Sequence, residues 1–285
     1  MGKSQGEVLI ALQRAHFDRA AALDWRQLQI QIVSSVLALA ALFVPAGKLE
    51  VAAFLTMAVF VASAFGVLVR SKHHRTLAEK TRRATLLVDG LGIRLSPQEM
   101  LRLGAQGGLS QAELEAWKDP GYFDSSRVPG VPRAAEMLFE SAFWTVNLFR
   151  ASADRLRNLL ILFGVGLTLC FLLSLGWMGE RQLSGGLRVF CALASSLVWF
   201  EFLGRWILYR DAITGIDEVM SRLEWLEKSK YVDPDDFQLA MVDYNSAVEA
   251  APMVFHGIRD ANKDRLNELW KGRNGSGPNM GGTAK

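Results

Sequence analysis

The sequence predicts an all-α membrane protein, with four transmembrane helices as two hairpins and a helical cytoplasmic layer from the central insert and the C-terminal tail. The first observation behind this prediction is a set of four charge-poor, apolar stretches, at residues 27–44, 51–69, 158–179 and 189–208. Each approaches the roughly 20 apolar residues that a helix needs to cross a hydrocarbon core. The second observation is their spacing, because a short turn separates the members of each pair and a long polar insert separates the pairs. Only helices and closed barrels satisfy their backbone polar groups in lipid, so the stretches are expected to be helical.

The third observation is the distribution of basic residues, which predicts the orientation of the spans. Arginine and lysine are concentrated before the first and third stretches and after the second, and Arg210 follows the fourth. The turn within the first pair carries only Lys48 and Glu50 as charged residues. Cytoplasmic loops carry an excess of Lys and Arg, so both termini and the central insert are expected in the cytoplasm.

Composition narrows the class of protein further. The chain has 285 residues, of which 50% are hydrophobic and 21% charged, and this mixture fits one membrane unit with a smaller polar layer. The net charge of +3 comes without a long basic run, so a nucleic-acid partner is not expected. The two cysteines, Cys170 and Cys191, both fall in apolar stretches, which predicts neither a disulfide framework nor a metal site.

Helix-start signals organise the polar parts of the chain. Ser96-Pro97-Gln98-Glu99 and Ser110-Gln111-Ala112-Glu113 are capping boxes, and Asp233-Pro234 is a third helix start. A long helix is expected from about Arg133 into the third span. The predicted parts are an N-terminal cytoplasmic helix at 1–27, a first transmembrane hairpin at 28–70, a cytoplasmic helical insert at 71–157, a second transmembrane hairpin at 158–208, cytoplasmic C-terminal helices at 209–271, and a disordered tail at 272–285.

Glu201 and Arg205 are the candidate pore or gating residues. They lie four residues apart in the fourth stretch and therefore share one helix face. A charge near the bilayer centre costs roughly 2.5–3.5 kcal/mol, so an intramembrane ionisable pair is a functional candidate. The alternative is that Arg205 extends to the cytoplasmic interface and neutralises Glu201 there, and the position near the helix end favours this alternative.

The loop from Trp117 to Arg133 supplies the candidate ligand residues. Aromatic and cationic side chains on a short loop beside helices are what a small anionic ligand such as a nucleotide requires. The alternative is a solvated connector that packs its aromatic residues onto the helices. The candidates for ligand binding are Lys118, Tyr122, Arg127 and Arg133.

Other motifs predict no catalysis. Adjacent His73 and His74 point about 100° apart on a helix and have no further ligand at metal-binding spacing. Gly90-Leu91-Gly92 lacks a preceding strand and the third glycine of a dinucleotide-binding loop. The sequence therefore predicts a protein that is not an enzyme and has no metal.

A hairpin–insert–hairpin order and a set of short motifs extend over nearly the whole chain. The motifs are the Trp25–Arg70 hairpin, Ala78-Glu79-Lys80-Thr81-Arg82, Leu86–Gly92, Gly121-Tyr122-Phe123-Asp124-Ser125, Glu140-Ser141-Ala142-Phe143-Trp144, Asp243–Pro252 and Arg265-Leu266-Asn267-Glu268-Leu269-Trp270. In this order and these motifs the chain resembles the SMODS-associated four-transmembrane effectors of bacterial cyclic-nucleotide anti-phage systems, of the CBASS or Pycsar type.

The resemblance implies a membrane effector of antiviral defence in the bacterial inner membrane. A cyclic nucleotide made by a partner nucleotidyltransferase or cyclase would activate it, and it would permeabilise or depolarise the membrane and cause growth arrest or cell death. The implied partners are the lipid bilayer, this nucleotide and further copies of the chain, since one four-helix protomer is too narrow for a wide channel. No cofactor is implied beyond the activating ligand. The alternatives are a constitutive small-ion channel or transporter subunit and a non-conducting membrane scaffold.

Overall fold

The computed structural model of the protein describes residues 5–40, 49–119, 121–175, 185–228 and 232–275, and every regular element within these ranges is helical. The elements in chain order are α1 (Gln5–Ala40), α2 (Leu49–Thr85), a π-helical turn (Leu86–Gly90), α3 (Pro97–Ala105), α4 (Gln111–Ala116), α5 (Val131–Leu175), α6 (Gly185–Lys228), α7 (Pro234–Ala250) and α8 (Ile258–Gly275).

The predicted membrane spans are contradicted. Within the described ranges, no helix combines the length and the apolar character that a membrane crossing requires. The predictions of four transmembrane helices and of a multi-pass inner-membrane protein with cytoplasmic termini are therefore wrong. The predicted spans are parts of longer helices. Polar side chains lie among the apolar residues of these spans, such as Gln31 in α1 and Glu201 in α6. Residues 41–44 and 176–179 of these spans lie outside the description, as do the side chains of residues 37–40, 51–62, 64, 170–171, 173–175 and 189–198.

Local helix signals agree with the structure. Ser96 and Ser110 each accept a hydrogen bond from the backbone N–H three residues later, and Glu99 and Glu113 complete both capping boxes. α5 is one continuous helix of 45 residues, as predicted for the region that starts near Arg133. α8 extends to Gly275, past the predicted start of the tail at residue 272, and residues 276–285 lie outside the described ranges.

The helices pack as two antiparallel pairs. α1 packs along α2, α5 packs along α6, and α7 lies against α6. α1 also contacts α6, and the π-helical turn contacts the start of α5. The main apolar core lies where α5, α6 and α7 meet, and it includes fully buried Met137, Leu138, Ile216 and Tyr244.

Apolar side chains are also exposed over a wide surface of the paired helices. On α5 and α6 they border an open groove of about 550 Å³ whose lining includes Leu160, Trp199, Leu203 and Trp206. Exposed apolar patches larger than a few hundred Å² mark interaction surfaces. The exposed residues on these four helices include Val33, Val36, Phe65, Val69, Ile161, Leu162, Val165, Leu169, Leu172, Phe200, Ile207 and Leu208.

Candidate functional site

Arg133 lies in the first turn of α5, at the end of the loop of residues 117–133, and fixes the conformation of that loop. Its Nε donates to the Asp89 carbonyl oxygen at 2.9 Å, and its Nη1 donates to the carbonyl oxygens of Ser125 and Arg127 at 2.8 and 2.7 Å. Its Nη2 pairs with Asp89 Oδ1 at 3.1 Å. Because one planar guanidinium ties the loop to the π-helical turn, Arg133 acts here as a clamp on the loop.

Arg127 and Lys118 are each paired with a nearby carboxylate. Arg127 Nε lies 2.5 Å from Glu136 Oε1, and the Arg127 side chain is 50% exposed. Glu136 also accepts a hydrogen bond from the Ser125 hydroxyl. Lys118 pairs with Glu115 in the last turn of α4. An anionic ligand at either cation would therefore replace a carboxylate of the protein itself.

Tyr122 connects the loop to α1 and α8. Its ring lies 5.6 Å from the Arg14 guanidinium of α1 and 6.0 Å from the Arg259 guanidinium of α8. Its hydroxyl accepts a hydrogen bond from Gln13 Nε2 at 3.4 Å. Arg14 also pairs with Asp119 at 2.8 Å, so two residues in the first half of the loop contact α1. Displacement of Tyr122 would disturb two helices at once.

Glu140 anchors the middle of the loop to α5. Its carboxylate accepts a hydrogen bond from the Asp124 backbone N–H at 3.0 Å. Burial raises the pKa of Glu140 to about 7, the hydrogen bond from Asp124 opposes this rise, and the Asp124 charge adds to it. A carboxyl group that titrates near neutral pH therefore sits under the loop.

The four predicted ligand residues lie on or beside one loop, but they do not converge on one cavity. Lys118 faces α4, Arg127 and Arg133 face α5 and the π-helical turn, and Tyr122 faces α1 and α8. A small cavity of about 20 Å³ near Arg127 is too small for a nucleotide. Their role in ligand binding remains a prediction.

Glu201 and Arg205 belong to a polar network that joins α6 to α1. Arg205 Nη1 lies 3.2 and 2.9 Å from the two carboxylate oxygens of Asp24, and Nε and Nη2 contact Glu201 at 3.3 and 3.2 Å. Gln31 donates to Glu201 at 2.5 Å. Burial opposes the charge of Arg205, but Asp24 and Glu201 raise its pKa overall. The pair therefore connects α6 to α1. Its role in a pore or gate remains a prediction.

Arg75 of α2 binds the end of α7. Its Nη2 donates to the carbonyl oxygens of Val248, Glu249 and Ala251 at 3.0, 2.9 and 2.6 Å. The last carbonyl groups of a helix lack partners within the helix and attract positive charge. Burial lowers the pKa of Arg75 overall, although the charges of Glu79 and Asp24 oppose this. Arg75 and Arg205 are thus two of the arginines that hold the α1–α2 pair to α6 and α7, and Arg82 of α2 adds a hydrogen bond to Asn245 at 2.8 Å.

Sequence reasoning missed Asp24, Gln31 and Arg75. One signal was present, because Asp24, Leu28 and Gln31 follow a spacing of four and three residues and so lie on one face of α1. Leu28 on that face is fully buried. A polar residue on a buried helix face needs a partner, but the sequence does not say that the partner lies on α6.

Neither similarity to known proteins nor a group of metal-binding side chains among the described residues points to a function for this chain. Scans against family models, curated proteins and solved structures found nothing that matches this chain. In the part of the chain that the structure describes, no three His, Cys, Asp or Glu side chains are grouped to hold a metal ion.

Proposed function

We propose that this protein is an effector of bacterial antiviral defence, activated by a cyclic nucleotide that binds at the loop of residues 117–133. The observation that carries the proposal is that Lys118, Tyr122 and Arg127 lie on one short loop that contacts α1, α5 and α8. A ligand on this loop would therefore be linked to the packing of three helices.

The proposed binding step is an exchange of carboxylates for phosphate in a rearranged loop, since Lys118, Tyr122 and Arg127 face different helices in this structure. Phosphate oxygens would take the places of Glu136 at Arg127 and of Glu115 at Lys118, since cations bind phosphate through charge-assisted hydrogen bonds. The Tyr122 ring is suited to stack on a base, as aromatic side chains do in nucleotide recognition. Arg133 would keep the loop in shape through its contacts to Asp89, Ser125 and Arg127.

Activation requires that the ligand bind two states of the protein differently. A ligand shifts a conformational equilibrium only by its differential affinity for the two states. Movement of Tyr122 would weaken its contacts with Arg14 and Arg259. Because Arg14 lies on α1 and Arg259 on α8, the loop couples these two helices. We expect the bound state to have a changed packing of α1.

Self-association is the proposed output of activation. The exposed apolar side chains of α1, α2, α5 and α6 supply a surface through which copies of the chain would associate. The membrane pore and the bilayer contact are not part of this proposal, because they depended on four membrane spans. A scaffold that binds another protein through the same apolar surface is the alternative favoured by this observation.

Calorimetric titration of the purified protein with a panel of cyclic mono-, di- and trinucleotides, added singly, tests the binding step. One nucleotide is expected to bind, and Arg127→Ala is expected to weaken it at least tenfold, which corresponds to about 1.4 kcal/mol. Arg94→Ala, at an exposed arginine outside the loop, is the matched control. Binding of none of the nucleotides, or equal affinity in both variants, would refute the proposal. Light scattering with and without the nucleotide then tests association, and a mass that does not change would favour the scaffold.

A further inference from the structure

A cluster of three histidines lies between α1 and α2. His16 Nδ1 of α1 is 3.1 Å from His74 Nδ1 of α2, and the two rings stack with their centroids 5.3 Å apart and an interplanar angle of 28°. The ring of His73 meets His74 edge-on at 5.7 Å. Two ring nitrogens at this distance share one proton in a hydrogen bond, so the contact requires that at least one Nδ1 carry no proton.

The connection between α3 and α4 covers the His16 ring. A Cβ atom placed on Gly107 would overlap the Cε1 and Nε2 atoms of His16, so only glycine fits at this position. The carbonyl oxygen of Gln106 is 3.2 Å from His73 Nε2, and the carbonyl oxygen of Gly107 accepts from Arg19 Nη1 at 3.5 Å. Arg19 also pairs with Glu113 of α4. The segment from α3 to α4 is therefore held in part by the same residues that surround His16.

The surroundings of His16 disfavour a second proton. His16 is fully buried, and its Nε2 has no hydrogen-bond partner. Burial, then the charges of His74, Arg19 and His73, lower the pKa of His16 to about 4. Burial and the charges of Arg19 and His73 also lower the pKa of His74. Arg19 is bound to the carboxylate of Glu113, whose pKa is lowered to about 2 by its hydrogen bonds with Ser110 and Arg19.

We propose that the His16–His74 pair is an acid-sensitive latch that holds the α3–α4 segment on the α1–α2 pair. While His16 is neutral, the shared proton joins the two rings and the segment stays closed over them. When both rings are protonated, two N–H groups face each other beside Arg19, and the contact opens. Opening frees His16 to bind a proton in water, so acid shifts the segment towards the open state.

The direction of the pH dependence follows from the lowered pKa of His16. In the open state this imidazole titrates near its ordinary pKa of 6.5, and in the closed state it titrates near 4. Between these values the open state binds more protons than the closed state. The latch is therefore fully favoured above about pH 6.5 and is progressively lost as the pH falls towards 4.

Hydrogen exchange measured by mass spectrometry at pH 7.5, 6.0 and 5.0, and corrected for the intrinsic pH dependence of exchange, tests the latch. Amides of α3 and α4 in the wild-type protein are expected to exchange at least tenfold faster at pH 5.0 than at pH 7.5, while those of α7 keep their protection. In His16→Gln, a neutral side chain removes the titration, and exchange in α3 and α4 should no longer depend on pH. His256→Gln, at an exposed histidine beside Asp18, is the matched control and should respond as the wild type does.

Two further measurements keep the test decisive. If His16→Gln does not fold, His74→Gln replaces it, and Gly107→Ala should open the segment at every pH because its methyl group displaces the α3–α4 connection from His16. Equal protection of α3 and α4 at pH 7.5 and 5.0 in the wild type would overturn the proposal, as would a pH response that survives in both glutamine variants. Opening caused by a chelator at pH 7.5 would also overturn it, because the pair would then be a metal contact.

Discussion

The α1–α2 pair and the α5–α7 region are built on different interiors. Ten of the twelve buried polar or charged residues found among the described positions lie on α1 and α2, five on each helix. The continuous apolar core lies instead on α5, α6 and α7. Among the described residues, its buried members from outside α5–α8 and their connections are Leu28 and Leu86, and partly buried residues such as Trp25 and Ile32 of α1 pack against it. The residues on the polar side are Gln13, His16, Gln27, Gln31 and Ser35 on α1 and Ser71, Glu79, Thr81, Arg82 and Thr85 on α2.

This difference separates the source of stability from the source of specificity. Apolar burial contributes roughly 25 cal/mol per Å² and depends little on orientation. Buried polar contacts add little net energy but are costly when left without partners, so they favour one arrangement over others. We infer that α5–α7 supply the larger share of the apolar stabilisation, to which buried residues such as Leu9 and Leu77 of the α1–α2 pair also contribute, and that the polar contacts of α1 and α2 determine how that pair is seated. The oxygens of Gln27 and Gln31, which are buried without a partner, mark where this seating is least complete.

The largest effect is expected at the contact between the two regions. Arg205→Met leaves the Asp24 carboxylate without its partner, at a site where Arg205 and Asp24 are only 15% and 16% exposed. Removal of one member of a buried ion pair destabilises by about 3–5 kcal/mol. Urea unfolding measures this loss. The triple variant Arg205→Met/Asp24→Asn/Glu201→Gln removes the charges together and should recover most of the stability, and a triple variant as unstable as the single one would contradict the assignment.

The apolar region is expected to be nearly as sensitive at single positions. Leu138 is fully buried in the core, and Leu138→Ala should lower the free energy of unfolding by about 2–5 kcal/mol because it leaves a cavity. Leu101→Ala, at a leucine of α3 that is 76% exposed, is the matched control and should change the stability by no more than about 0.5 kcal/mol. Thermal unfolding followed by circular dichroism checks both. Equal effects at the two leucines would mean that the core is not where we describe it.

A pH-dependent effect is expected where the loop meets α5. The pKa of Glu140 is raised to about 7 in the folded protein, so the folded state binds more protons than the unfolded state between about pH 4.5 and 7. The contribution of Glu140 to stability is therefore present below pH 4.5 and is lost as the pH rises through 7. Because the hydrogen bond from Asp124 favours the charged form and offsets part of the effect of burial, we expect a loss of about 1–2 kcal/mol between pH 5 and 8.

Glu140→Gln isolates this contribution from that of other titrating groups. Glutamine can still accept the hydrogen bond from Asp124 but does not titrate, so the variant should gain stability relative to the wild type as the pH rises from 5 to 8. Glu136→Gln is a control on the same helix, at a carboxylate paired with Arg127. Parallel curves of stability against pH for the wild type and Glu140→Gln would show that the pKa of Glu140 is not raised in the folded protein.

The starts of the short helices could be predicted from the sequence, and so could the end of α7 before Pro252, whereas the ends of the long helices and the helix partners could not. A capping box is a local contact, so Ser96 and Ser110 identify their helices without knowledge of the fold. A change in hydropathy does not mark where a helix ends. α1 and α6 continue through residues 27 and 208, where the change from polar to apolar sequence had predicted boundaries. The same reliance on hydropathy produced the membrane spans that the structure contradicts. The contact between Arg205 and Asp24 joins residues 181 positions apart, and only the packing of α6 on α1 creates it.

The smallest effect is expected in the short helices that lie outside both interiors. Ser110 caps α4 by accepting a hydrogen bond from Glu113 N at 3.3 Å, and Ser110→Ala should destabilise α4 by about 1 kcal/mol. Because neither α3 nor α4 has a buried residue, the loss should stay local. Hydrogen exchange should become faster in α4 with little change in global unfolding, while Ser126→Ala in the exposed loop should change neither. If Ser110→Ala lowers the global stability as much as Leu138→Ala does, α4 unfolds together with the core, and the division into a stabilising and a conditional region is wrong.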